Sequence, residues 1–155
     1  MTLDVTIKEF PTRHLTGVVV RTDMQKAETD VTALWQAWGP QHVPFPNNVN
    51  ASEIYGVSIP KGTDGIFDYW IVVDPATGVP LPEDRKMLEL PAGFYACAFA
   101  PNMEQFGATF EELYMEWQNQ QSEYAVVNEA PCVEVYPNGW QTSDPFELQV
   151  LITNK

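Results

Sequence analysis

The chain has 155 residues, 8 Lys+Arg against 21 Asp+Glu, a net charge of -13 and 45% hydrophobic residues, with five Trp, six Tyr and eight Phe. That length and aromatic content suit one globular core and argue against disorder. The shortage of grouped Lys and Arg argues against DNA, RNA or an anionic membrane as a direct partner and favours a cationic or neutral one.

In chain order, Val5 to Phe10 and Leu15 to Arg21 read as strands. Gln25 to Trp38 reads as a helix, because Ala27, Val31, Leu34, Trp35 and Trp38 fall on one face. A loop over Pro40 to Asn50 leads to strands at Glu53 to Ile59 and Phe67 to Val73, and a second loop over Asp74 to Asp84 follows. Strands are then expected at Lys86 to Leu90 and Phe94 to Phe99. A second helix runs from Met103 to Gln118, with Met103, Phe106, Phe110, Leu113, Tyr114 and Trp117 on one stripe. Asn102 stands as its N-cap, with Gln105 three residues on. Strands at Val133 to Tyr136 and Phe146 to Ile152 complete the chain.

Each half thus reads strand, strand, helix, strand, strand. Glu9-Phe10-Pro11 matches Glu89-Leu90-Pro91, Trp38 matches Trp117, Glu53-Ile54-Tyr55 matches Glu134-Val135-Tyr136, and Phe67-Asp68 matches Phe146-Glu147, at offsets of 80, 79, 81 and 79. The near-constant offset points to an internal duplication, with pseudo-repeats over about 3–74 and 85–152 of a single domain spanning 1–155. The fold class expected is α+β: an antiparallel sheet of about eight strands, two main helices on one face and a central cleft on the other.

Alternation along the strands divides the side chains between those faces. Val133 with Val135, Phe146 with Leu148 and Val150, Ile54 with Gly56, and Phe67 with Tyr69 and Ile71 are assigned to the helix side. Glu134 and Tyr136, Glu147 and Gln149, Glu53 and Tyr55, and Asp68 and Trp70 are assigned to the cleft. Aromatic faces attract cations, and a desolvated carboxylate gains from a positive partner, so the expected ligand is hydrophobic and cationic or aromatic. Crowded carboxylates also raise one another's pKa, which leaves general acid chemistry open. Glu134, inside a mostly apolar run that suggests a central strand, stands out among these acids.

No stretch reaches the roughly 20 consecutive apolar residues that span a bilayer. Met1 to Phe10 lacks a signal-peptide pattern, so no membrane partner and a cytoplasmic location are expected. Cys97 and Cys132 have apolar neighbours and no metal-ligand spacing, and read as buried thiols. With only His14 and His42 present, neither a Ser-His-Asp triad nor a metal site is expected. No phosphate-binding signature surrounds Lys61-Gly62-Thr63, and no cofactor is expected.

Phe67-Asp68-Tyr69-Trp70, the turn from Leu90 through Ala96, Trp117 at the end of the second helix, Glu134-Val135-Tyr136 and Phe146 through Val150 together resemble the GyrI-like small-molecule-binding domains, which are also the effector-binding domains of some AraC-type and MerR-type regulators. The resemblance covers about Leu3 to Ile152 and rests on motif order. It implies a duplicated βαββ-type (SHS2-like) fold whose cleft takes hydrophobic, often cationic compounds, with Glu134 as the buried glutamate, Glu147 as a second acid, and Tyr95 and Trp70 as aromatic walls. Tyr69 and Tyr136 are weaker matches as site residues, since alternation puts Tyr69 on the helix side. The chain departs from the family pattern at Ile71-Val72, where a small residue and glycine are common, and at Gln149, where an aromatic is frequent. The domain begins within the first ten residues, so a stand-alone form without a DNA-reading module is expected.

Three functions remain open on the sequence. The first is a binding protein with Glu134 as countercharge, Glu147 as helper, Trp70, Tyr55, Tyr95 and Tyr136 as walls, and Glu53, Asp68 and Gln149 also lining the cleft. The second, implied by the resemblance, is a hydrolase of reactive, cyclopropane-bearing electrophiles in which Glu134 activates water and Tyr95 or Tyr136 donates a proton. The third is an acidic partner of a basic protein such as gyrase, acting through the helix acids Asp23, Glu28, Asp30, Glu104, Glu111, Glu112 and Glu116, which otherwise read as a solvated face.

Overall fold

The computed structural model describes residues 3–42, 53–62, 64–75, 83–137 and 140–155. Most of the two proline-rich loop segments, 43–50 and 76–82, lies outside the described residues, as does Thr63. The strands are β1 (Thr6–Phe10), β2 (Arg13–Asp23), β3 (Glu53–Pro60), β4 (Ile66–Val73), β5 (Lys86–Leu90), β6 (Gly93–Ala100), β7 (Tyr124–Val126), β8 (Cys132–Pro137) and β9 (Phe146–Asn154). Eight coincide with the expected strands. β7 is additional, a three-residue ribbon on the far end of β9 that is too short to show alternation.

Helix α1 (Ala27–His42) continues past Trp38 and through Gly39-Pro40, where the sequence reading had ended it. The second helical segment, residues 103–119, is not one regular helix. A 3-10 turn (Met103–Gln105) leads into α2 (Phe106–Glu111), which widens to a π turn (Glu112–Glu116) and closes in a 3-10 turn (Trp117–Asn119). Asn102 caps it as expected, its Oδ1 accepting the Gln105 N–H at 2.9 Å.

The sheet order is β1-β6-β9-β8-β3-β4-β2-β5, with every pairing among the described residues antiparallel. Exchanging β1 with β5, β2 with β6, β3 with β8 and β4 with β9 returns the same order read from the opposite edge, so the two halves meet at the β3–β8 pair. The helices cover one face. Ile54, Tyr69, Ile71 and Val73 pack there with Val31, Leu34 and Trp35 of α1. Ala96, Ala98, Phe146, Leu148 and Val150 pack with Phe106, Phe110 and Leu113 of the second segment.

The other face is covered by the sheet itself. Arg13 on β2 and Gln149 on β9 are four strands apart in the pairing order, about 19 Å on a flat sheet. Their side chains nevertheless meet, Arg13 Nη1 donating to Gln149 Oε1 at 2.8 Å. The sheet therefore curls into a half-barrel around its helix-free face. That curl buries a second core of Leu15, Val57, Val72, Leu88, Leu90, Val133 and Val135 without any helix.

Gly17 permits the curl. Its β2 position pairs with both Val72 of β4 and Lys86 of β5, and a Cβ there would stand 1.9 Å from the Ile71 carbonyl oxygen.

Candidate functional site

Strand β8 lies inside the sheet between β9 and β3, and five of its six residues are buried. Glu134 is paired with Gly56 of β3 and Leu148 of β9 and points to the helix-bearing face. Tyr136, two residues on, shares that face, as does Tyr69 of β4. Tyr69 donates its hydroxyl to Glu134 Oε1 at 3.0 Å, and Tyr136 donates to the same oxygen. Trp35 of α1 donates its Nε1–H to the Tyr69 oxygen at 3.1 Å, so a relay runs from the helix through a phenol to the carboxylate.

Aromatic rings close around this group. Trp35 meets Tyr136 edge-on at 5.6 Å, and Tyr136 stacks on Phe146 at 5.0 Å. Trp140 lies 4.7 Å from Tyr136 and 5.5 Å from Phe146, held by its Nε1–H donating to the Asp144 carbonyl. Phe106 continues the row at 6.1 Å from Phe146, joining the site to the second helical segment.

Glu134 is 5% exposed. Burial pushes its pKa above the usual carboxylate range, and the hydrogen bonds from Tyr136 and Tyr69 pull it part of the way back. Burial and the neighbouring carboxylate push both phenols well above the usual tyrosine range, so both remain donors. The described residues contain one other buried carboxylate, Glu147, and the two differ in one respect. Glu147 Oε2 accepts from Lys8 Nζ at 2.7 Å, whereas no described Lys, Arg or His pairs with Glu134. When ionised, Glu134 is a buried charge without a countercharge among the described residues.

Glu134 and Tyr136 therefore do not share a face with the other expected site residues. Val133 and Val135, assigned to the helix side by alternation, face the interior of the curl instead. The physical reason is that β8 is buried on both faces, so polarity along it does not identify which side meets solvent. The matched motifs Glu53-Ile54-Tyr55 and Glu134-Val135-Tyr136 mislead for the same reason. Their offset of 81 is odd, and helix-facing residues of β3 and β8 (Ile54, Gly56; Cys132, Glu134, Tyr136) are related by even offsets. Gly56, not Glu53, is the β3 residue in register with Glu134.

The remaining residues lie on the helix-free face. Glu147 Oε1 accepts from Gln149 Nε2 at 2.7 Å, which with the Lys8 and Arg13 contacts makes a chain Lys8-Glu147-Gln149-Arg13 across the curl. Arg13 sits over the rings of Phe10 and Tyr95, at 4.1 and 5.0 Å. Tyr95 is fully buried and donates to the Pro91 carbonyl at 2.8 Å. Tyr55 donates to Glu53 at 2.7 Å, Trp70 packs against the second core, and Asp68 pairs with Arg21 at 2.8 Å. Cys97, on this face near Glu147 and Lys8, is a free thiol that burial pushes up to about 12. Cys132, also free and buried, sits beside Glu134 on the other face.

The sequence reading passed over Trp35, Gly56 and Trp140, and set Tyr69 aside because it faces the helices. Alternation had placed Tyr69 correctly; what it lacked was the knowledge that Glu134 faces the same way. Trp35 was visible only as one member of an apolar stripe.

The sequence matches the GyrI-like small molecule binding domain over residues 3–152. Similar solved structures include SAV2435 bound to tetraphenylphosphonium (TM-score 0.74, 20% identity, covering 97% of this chain and 94% of that one). An integron cassette protein from Vibrio cholerae is also similar (TM-score 0.66, 19% identity, 96% and 95% covered). So is the C-terminal domain of EcmrR (TM-score 0.61, 10% identity, 100% of both chains). At these identities the likeness establishes the fold. No curated protein matches the sequence.

Proposed function

The chain belongs to the GyrI-like small-molecule-binding family, and from that premise we propose that it binds lipophilic organic cations at Glu134. The observation that carries this reading is the pairing state of the carboxylate. Glu134 is buried, accepts only from phenols among the described side chains, and is ringed by Tyr69, Tyr136, Trp35, Trp140 and Phe146. A cation that brings its own apolar surface satisfies both features at once: it supplies the missing countercharge and faces the electron-rich rings. A hydrated metal or a small ammonium satisfies only the first. The complex of SAV2435 with tetraphenylphosphonium is consistent with this chemistry in a protein of the same fold.

Trp35 and Trp140 both pack edge-on against Tyr136, the phenol that donates to Glu134. Turnover of an electrophile, the second reading, would have to rest on Glu134 and Tyr136, because Tyr95 is held on the other face of the sheet.

The test is titration of the protein and of Glu134→Gln with tetraphenylphosphonium and with triphenylphosphine oxide, a neutral aromatic control. Saturable binding of the cation that falls at least tenfold in the variant supports the proposal. Equal affinity in both proteins overturns it.

A further inference from the structure

A glycine in the middle of a strand is unfavourable unless the position demands one, and there are two ways a position can. One is a backbone conformation in the left-handed region, which Gly62, Gly65 and Gly93 adopt and Gly56 does not. The other is lack of room. Gly56 is buried in β3, in register with Glu134 of β8. A Cβ on it would stand 2.3 Å from the Tyr69 hydroxyl oxygen and 2.8 Å from Glu134 Oε1, the two atoms joined by the Tyr69 hydrogen bond. The space left by the missing side chain is the space in which phenol and carboxylate meet.

We propose that Gly56 is a positioning residue of the cation site: its lack of a side chain allows Tyr69 to reach Glu134, and so sets the hydrogen bonding of the carboxylate that a cation would meet. This rests on the reading of Glu134 given above and adds a residue that does not itself carry the charge. Any side chain at 56 must displace the Tyr69 hydroxyl, which is the end of a long side chain, rather than backbone. The clash is therefore expected to break the hydrogen bond before it breaks the sheet. The displaced phenol would also lose its place beneath the Trp35 N–H, loosening the hydrogen bond that joins α1 to the site.

Among the described residues, the titratable groups facing the carboxylate are Tyr69 from β4 and Cys132 and Tyr136 from β8. β3 presents Gly56, β9 presents Leu148 and α1 presents Trp35, none of which titrates. Removing the Tyr69 donor takes away a bond that favours the charged form, so the titration midpoint of Glu134 must rise.

The experiment is a pH titration of the side-chain carboxyl resonance of Glu134 in 13C-glutamate-labelled protein, assigned by its absence in Glu134→Gln. It compares wild type, Gly56→Ala, Tyr69→Phe and the double variant. Gly56→Ala and Tyr69→Phe are each expected to raise the midpoint by about one pH unit, the scale of a hydrogen bond to a charged group. The double variant is expected to rise no further than the single ones, because both remove the same bond. A Gly56→Ala midpoint equal to wild type, with Tyr69→Phe raised, overturns the proposal. Should Gly56→Ala fail to fold, the double variant, which lacks the hydroxyl that clashes, is expected to fold; a double variant that is equally unfolded also overturns it. Tetraphenylphosphonium binding is measured on the same proteins. Wild type that shows the expected midpoints but no binding rejects the proposed function while leaving the role of Gly56 standing.

Discussion

Glu134 and Glu147 stand on adjacent strands one residue out of register, Glu134 opposite Leu148 and Glu147 opposite Val135, and that single residue puts the two carboxylates on opposite faces of the sheet. Each is buried, but Glu147 is tied to Lys8 and Gln149 while Glu134 meets only phenols among the described side chains. The first belongs to the polar chain that closes the curl. The second has no cationic partner among the described residues.

Substituting Glu134 by Gln should separate binding from stability. The amide keeps an acceptor for Tyr69 and Tyr136 while removing a buried charge that has no countercharge. We expect the melting temperature of the unliganded variant to be equal to or above that of wild type, with the thermal shift produced by tetraphenylphosphonium abolished. Differential scanning fluorimetry with and without the cation checks both.

The stability of the protein should carry a pH signature of the same residue. The folded pKa of Glu134 lies above its unfolded value, so its protonated form is favoured by folding. That contribution is fully present below the ordinary glutamate pKa of about 4.3 and is lost as pH rises through the higher folded value. Urea unfolding across this range should show wild type losing stability relative to Glu134→Gln as pH increases. A constant difference between the two proteins would contradict the assignment.

Glu147→Gln should behave differently from Glu134→Gln. It removes the Lys8 ion pair, in which the lysine is 43% exposed on its side chain, so the loss in stability should stay near 1 kcal/mol. Because the sheet lies between Glu147 and the aromatic site, affinity for tetraphenylphosphonium should remain within about twofold of wild type. Calorimetric titration of the variant decides this.

Gly17→Ala is expected to be among the most destabilising single changes. Its Cβ would collide with backbone, the Ile71 carbonyl, rather than with a movable side chain. A loss above about 3 kcal/mol is expected, read from the denaturation midpoint, with insoluble expression as the extreme case.

The strand and helix pattern was legible in the sequence because each element carries a strong local signal. The alternation of Phe67 to Val73 and Phe146 to Ile152 and the apolar stripe of the second helix place β4, β9 and that helix within a few residues of their observed ends. Glu134 stood out for a local reason as well: an acid between two valines belongs to an interior strand, and β8 is one.

What the sequence by itself determined is therefore the order of the elements, the duplication of that order and the identity of the unusual carboxylate. Which face that carboxylate occupies was decided only by tertiary structure. Alternation distinguishes two sides of a strand but labels them only when one side meets water, and the curl held by Arg13 and Gln149 buries both sides of β8. The partners of Glu134 follow from the same fact. Tyr69, Gly56 and Trp35 are 65, 78 and 99 residues away in the chain, and only the β3–β4–β8 pairing and the docking of α1 bring a hydroxyl, an empty position and an indole N–H to one oxygen-rich point.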